Sequence, residues 1–117
     1  MRRLAYALLL ASGAQAAPDA GTTEEVGQLL TQLATSGCEF QRNGDWHSAV
    51  EARAHLERKY AYLLKKGLVG RTEDFIDRAA TGSSVTGKDY QVRCAGVTSA
   101  SAPWLRAALA RIRGGRR

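Results

Sequence analysis

Only about a hundred residues of this chain are free to build a core, because its first sixteen carry the marks of an export signal. Met1-Arg2-Arg3 is a short cationic start, Leu4 to Ala11 is an apolar run, and Ala14-Gln15-Ala16 is the small-x-small pattern that a signal peptidase cuts. The apolar run is about half of the ~20 residues a bilayer span requires, so it reads as a leader and not an anchor. The expectation is a signal over residues 1–16, cut after Ala16, and a mature chain of residues 17–117 that is periplasmic or secreted. Arg2-Arg3 alone is too little to specify a twin-arginine route. A chain of this size supports one domain with one modest core.

Cys38 and Cys94 both fall in the exported part, and an oxidising compartment favours joining them. Closing a loop of that length stabilises a fold by about 4 kcal/mol on the chain-entropy account. Two separate buried thiols are the alternative, and the spacing is not that of a metal site.

The formal charge of +6 is unevenly spread. Residues 17–105 carry 10 basic and 11 acidic side chains, so the positive excess of the mature chain sits on Arg106, Arg111, Arg113, Arg116 and Arg117. A nucleic-acid binder would spread its cations over a groove or a sheet face, and no nucleic-acid partner is expected. The tail suits peripheral contact with anionic lipid or acidic envelope polymers, if it is not simply a solvated end.

Helical spacing dominates the pattern. Thr22 with Glu25 fits a capping box ahead of Val26, Leu29, Leu30 and Leu33, and Ser36-Gly37 ends that helix. Cys38 to Gly44 reads as a loop anchored by Phe40, with a turn at Asn43-Gly44. Asp45 is the expected cap of the longest helix, Trp46 to about Lys66, whose stripe is Ala49, Ala52, Leu56, Tyr60 and Leu63 and which Gly67 closes. Thr72 is expected to cap a shorter helix carrying Phe75 and Ile76, and Ser101 a last one carrying Trp104, Leu105, Ala108, Leu109 and Ile112. Tyr90 to Cys94 alternates like a strand, but one strand makes no sheet, so it is expected to be extended or to pair with a piece the pattern does not reveal. The fold class expected is mainly α: a single small domain of about four helices with one short extended segment.

The densest polar block runs from Arg42 and Asn43 through His47 to Glu51, His55 and Lys59. On a helix the last three stack four residues apart, beside the apolar stripe, where partial desolvation shifts pKa values usefully. They can be ordinary surface charges around a half-buried histidine, a site for an anionic group, or an acid–base pair formed by Glu51 and His55. His47, Glu51 and His55 could face one ion only if the helix already includes His47, and neither a metal nor a cofactor is expected. Residues 82–88 match the first seven positions of a phosphate-binding loop, yet Asp89 stands where a magnesium-binding hydroxyl is required, and the helix precedes the loop instead of following it. Ser83, Ser84, Thr86 and Lys88 read better as a structured turn that closes the third helix.

These blocks, RNGDWH at 42–47, Glu51-Ala52, His55-Leu56, Lys59, Phe75-Ile76-Asp77 and SSVTGK at 83–88 followed by Tyr90, resemble the YfeK-like group of small, uncharacterised proteobacterial exported proteins. The resemblance runs from about Phe40 to Trp104. It implies a bacterial periplasmic setting and offers no catalytic or binding residue to carry over. The leading expectation is a non-catalytic binding or interaction module for an envelope ligand or protein, anionic ones included, that uses Arg42, Asn43, His47, Glu51, His55, Lys59, Ser83, Ser84 and Lys88. The alternative is an envelope hydrolase in which Glu51 and His55 act with Ser83 or Ser84.

Overall fold

The structure, a computed structural model, describes residues 16–116. The expected signal therefore lies outside the described residues except for Ala16, whose N–H donates to the Gly67 carbonyl at 2.8 Å. Among the described residues no helix is long and apolar enough to cross a membrane.

Helix α1, Ala20–Ala34, is capped by Asp19, whose Oδ1 accepts the Thr22 N–H at 2.8 Å. The Thr22–Glu25 box does not form, because the helix starts earlier and buries both residues. Helix α1 is central: its Val26, Leu29, Leu30 and Leu33 stripe meets every other helix.

The chain then forms β1, Glu39–Arg42, and β2, Asp45–His47, and only afterwards α2, Ala49–Lys65. The expected helix start at Trp46 is thus corrected by three residues. Ser48, not Asp45, caps it: the Glu51 N–H donates to Ser48 Oγ at 3.1 Å and the Ser48 N–H to Glu51 Oε1 at 3.0 Å, a complete capping box. The far end closes as expected, with Gly67 at φ 68° just beyond the cap. Helix α3, Thr72–Ala79, follows, then β3, Gln91–Cys94, β4, Val97–Ala100, and α4, Ser101–Gly114.

The mainly α expectation is overturned by the strands. The four form one antiparallel sheet in the order β2-β1-β3-β4. The extended segment before Cys94 finds its partner in Glu39–Arg42, the stretch expected to be a loop, with Phe40 opposite Val92 and Glu39 opposite Arg93. The fold is therefore mixed, four helices and a sheet. Two tight turns make it: Asn43-Gly44, at φ 53° and 89°, joins β1 to β2, and Ala95-Gly96, at φ 51° and 83°, joins β3 to β4. Left-handed conformation at both central residues matches the twist of paired strands.

Phe40 and Val92 turn inward onto the helices, and Trp104 of α4 meets Phe40 edge-on at 5.5 Å. The opposite face carries Trp46, covered by the Arg93 guanidinium at 4.0 Å, and the Arg93–Glu39 pair. Cys38 and Cys94 are joined, their Cα atoms 4.5 Å apart. The register explains it: Glu39 faces Arg93, so the next residues outward meet across β1 and β3.

The basic C-terminus is tied to the body. Arg113 reaches Glu25 at 3.0 Å and Glu73 at 2.8 Å, Arg116 also reaches Glu25, and Arg106 pairs with Asp77 at 2.7 Å. Glu25 is the buried member, its side chain 7% exposed, and it also accepts from Thr72 Oγ1 at 2.6 Å. These donors hold its carboxyl at a pKa of about 2, against the penalty of burial. Thr72 is the first residue of α3, not its cap, and its hydroxyl is spent on Glu25.

Candidate functional site

Helix α2 lays His55 and Lys59 one turn apart, and both reach the same hydroxyl. Tyr90 Oη lies 3.1 Å from His55 Nε2 and 3.0 Å from Lys59 Nζ, which also donates to the Gly82 carbonyl at 3.1 Å. An ammonium can only donate, so Oη accepts from Lys59; toward His55 it donates to Nε2 in the tautomer with its proton on Nδ1 and accepts from Nε2–H in the other. In both tautomers the imidazole is neutral. The surroundings supply the neutrality: burial first, then the charges of Arg42, Lys59 and Arg58, lower the His55 pKa to about 4.

Tyr90 is held from both sides along the chain. Its N–H donates to the Thr81 carbonyl and its carbonyl accepts from Ser101, each at 2.9 Å. Between Thr81 and Tyr90 the chain makes a closed turn. Ser83 Oγ accepts the N–H groups of Val85 and Thr86 at 3.2 Å, and the Ser83 N–H donates to the Lys88 carbonyl at 2.9 Å. The closing of α3 falls to Thr81, whose hydroxyl donates to the Ile76 carbonyl at 2.8 Å. Gly82 is sterically required, because a Cβ there would lie 2.9 Å from the Lys88 carbonyl oxygen.

This turn meets the first hairpin: Thr86 Oγ1 donates to Asn43 Oδ1 at 2.8 Å. Arg42, Asn43, His55, Lys59, Ser83 and Ser84 thereby line one cleft of about 240 Å³, with Val85 and Tyr90. Six of the nine residues singled out in the sequence are brought together, from segments some forty residues apart.

His47 and Glu51 border a neighbouring cavity of about 30 Å³, shared with Arg42 and His55 and sized for a water molecule or two. Lys88 lines neither space and is exposed. The row expected of His47, Glu51 and His55 on one helix does not exist, since His47 belongs to β2. Among the described residues no group of three His, Cys, Asp or Glu side chains is placed to hold a metal ion. Glu51 is occupied by the Ser48 N–H and lies 3.8 Å from His47 Nδ1, while His55 turns to Tyr90. Ser83 Oγ is engaged by its own turn. Glu51, His55 and Ser83, three of the groups named for acid–base hydrolysis, are thus each bonded elsewhere.

Tyr90, the hub, has no site role in the sequence reading, where it opens an extended segment and follows the SSVTGK block; its side-chain role depends on a pairing thirty-five residues away. Arg58 and Arg78, which stand beside Lys59 on a second depression, carried no motif.

The cleft lies inside the stretch that relates this chain to other proteins. The uncharacterized protein YfeK of Salmonella typhimurium (strain LT2) is 38% identical over 85 residues, covering 72% of this chain and 69% of the relative. No solved structure matches. Residues 20–113 match a family of unknown function, DUF5329, in agreement with the resemblance carried by the RNGDWH and SSVTGK blocks. From its first helix to the arginines that close its last one, the chain belongs to this family of unknown function.

Proposed function

We propose that this is an exported, non-catalytic binding module that takes an anionic group in the cleft between α2 and the turn at residues 81–89. One observation carries the reading. Arg42 and Lys59 converge on a cleft lined by no carboxylate, and among the described residues neither has an acidic partner. Like charges gathered without counter-ions repel one another, and an anion relieves that repulsion. The neutral His55 lines the cleft without adding charge, and Ser84 adds an exposed hydroxyl.

The test is a heteronuclear NMR titration of the full chain without its leader, with inorganic phosphate at low ionic strength. Saturable shifts at Arg42, His55, Lys59 and Ser84 are expected, weakening as salt rises. Arg42→Ala should abolish them while leaving the melting temperature within a few degrees of the parent, since Arg42 makes no ion pair among the described residues. Shifts that are absent, or unaltered in Arg42→Ala, refute the reading.

A further inference from the structure

Lys59 stands between two depressions. On one side is the cleft of Arg42 and the Ser83–Val85 turn. On the other is a space of about 280 Å³ walled by Arg58, Arg78 and Tyr62. His55, Lys59 and Ser84 border both, so the two adjoin. Among the described residues neither has an aspartate or glutamate on its walls.

What sets the cations around these spaces apart is that unpaired ones gather there, since Lys65, Lys66, Arg71, Lys88 and Arg111 also hold no carboxylate among the described residues but line neither depression. Arg53, Arg93, Arg106, Arg113 and Arg116 each hold a carboxylate. Arg42, Arg58, Lys59 and Arg78 hold none among the described residues. Asp74, one helical turn before Arg78, is taken by the N–H groups of Gly70 and Arg71. Lys59 spends two hydrogens on Gly82 and Tyr90 and keeps a third. A single small anion can satisfy the Arg42 side, but it leaves Arg58 and Arg78 without an ion-pair partner among the described residues.

We propose that the two depressions form one site for a ligand bearing two linked phosphate-type groups, one against Arg42 and Lys59, the other against Arg58 and Arg78, with the Ser84 hydroxyl between them. This rests on the anion-binding reading and extends it to a ligand class. Guanidinium forks suit phosphate oxygens, and a second charged contact on the same molecule is gained without a second loss of translational freedom. Two exposed apolar side chains border the site, Val85 at 92% and Tyr62 at 58% exposure. They give a diphosphate carried on a lipid something to touch that a soluble diphosphate lacks.

The experiment compares orthophosphate with pyrophosphate by calorimetry at low salt, using the full chain without its leader. Pyrophosphate is expected to bind about tenfold more tightly or better. Arg58→Gln with Arg78→Gln should remove that advantage and leave orthophosphate binding unchanged, whereas Arg42→Gln should weaken both. Flotation with phosphatidylcholine vesicles containing cardiolipin, set against phosphatidylglycerol at equal charge, identifies the source. Preference for cardiolipin that falls in Val85→Ser assigns a lipid, and pyrophosphate binding without that preference assigns a soluble ligand. Equal affinity for the two phosphates, or a pyrophosphate affinity untouched by the double substitution, overturns the two-group site while single-anion binding through Arg42 survives. Absence of any anion binding overturns both.

Discussion

Replacing Glu25 by glutamine tests how the C-terminal helix is held to the first. The carboxylate lies at the meeting of α1, α3 and α4, with Arg113 at 3.0 Å, Arg116 beside it and the Thr72 hydroxyl at 2.6 Å. Its pKa falls from 4.5 to about 2 on folding. At about 1.4 kcal/mol per unit, the charged form contributes about 3 kcal/mol. Because the folded value is the lower one, this stability is fully present above pH 4.5 and is lost as pH falls toward 2. Glutamine keeps the shape but removes the charge and turns one N–H2 toward guanidinium groups. At neutral pH Glu25→Gln should lower the melting temperature by about 12 °C, taking about 4 °C per kcal/mol for a domain of about a hundred residues. The gap should close progressively between pH 4.5 and 2, as the parent's own carboxylate takes up its proton. Glu57→Gln is the control: Glu57 pairs with Arg53 on the surface, and its loss should cost under about 0.5 kcal/mol. Thermal melts followed by circular dichroism at pH 7 and pH 3 decide the matter. A variant melting within about 3 °C of the parent at pH 7, or a gap equally wide at both pH values, would refute the reasoning.

Other expectations follow from the same geometry. Serine at both Cys38 and Cys94 should cost about 4 kcal/mol in chemical denaturation, because the bond closes a separation of 56 residues; an unchanged midpoint would show the constraint to be idle. Ala95→Asn should add about 0.5 to 1 kcal/mol, since Ala95 sits at φ 51° in a two-residue turn where asparagine is at ease, and a loss would mean that the turn differs. His55, with a folded pKa of about 4 against 6.5, favours the native state fully above pH 6.5 and loses that contribution as pH falls to 4. Discounted for its partial exposure, this is on the order of 2 kcal/mol. Its imidazole C–H resonance should show no midpoint above about pH 5, and a midpoint near 6.5 would mean that the burial of His55 beside Arg42 and Lys59 is not kept in solution.

The helices were legible because each writes a stripe of apolar residues at helical spacing, and the disulfide because two cysteines in an exported chain have few other fates. The sheet was not. Strands of three and four residues are too short to display a period of two, and β1 finds β3 only after the 48 residues of 43–90. Yet two local signs were present. Asn43-Gly44 between short extended pieces is the sequence of a two-residue hairpin, and Ser48 three residues before Glu51 spells the box that starts α2. Assigning the cap to Asp45 drew Trp46 and His47 into the helix and so erased β2. The fate of Glu25 was hidden for a different reason: a glutamate near a helix start looks like a cap, and only long-range packing brings Arg113 to it.

The misread sheet is also what makes the cleft. Arg42 ends β1 and Asn43 opens its turn, so their position is set by the pairing of β1 with β3. Tyr90 immediately precedes β3 and is bonded through its backbone to the turn on one side and to α4 on the other. Helix α2 contributes His55 and Lys59, which meet both through one hydroxyl. The Cys38–Cys94 bond fixes the far end of the same two strands, so it clamps the register on which Arg42 and Tyr90 depend. A slip of one residue between β1 and β3 would turn Phe40 out of the core and carry Arg42 away from Lys59. Reduction should therefore loosen anion binding before it unfolds the helices. Reduced protein titrated with phosphate at a temperature where its helical signal is still native would reveal this as a weakened affinity, and an affinity equal to that of the oxidised form would detach the site from the sheet.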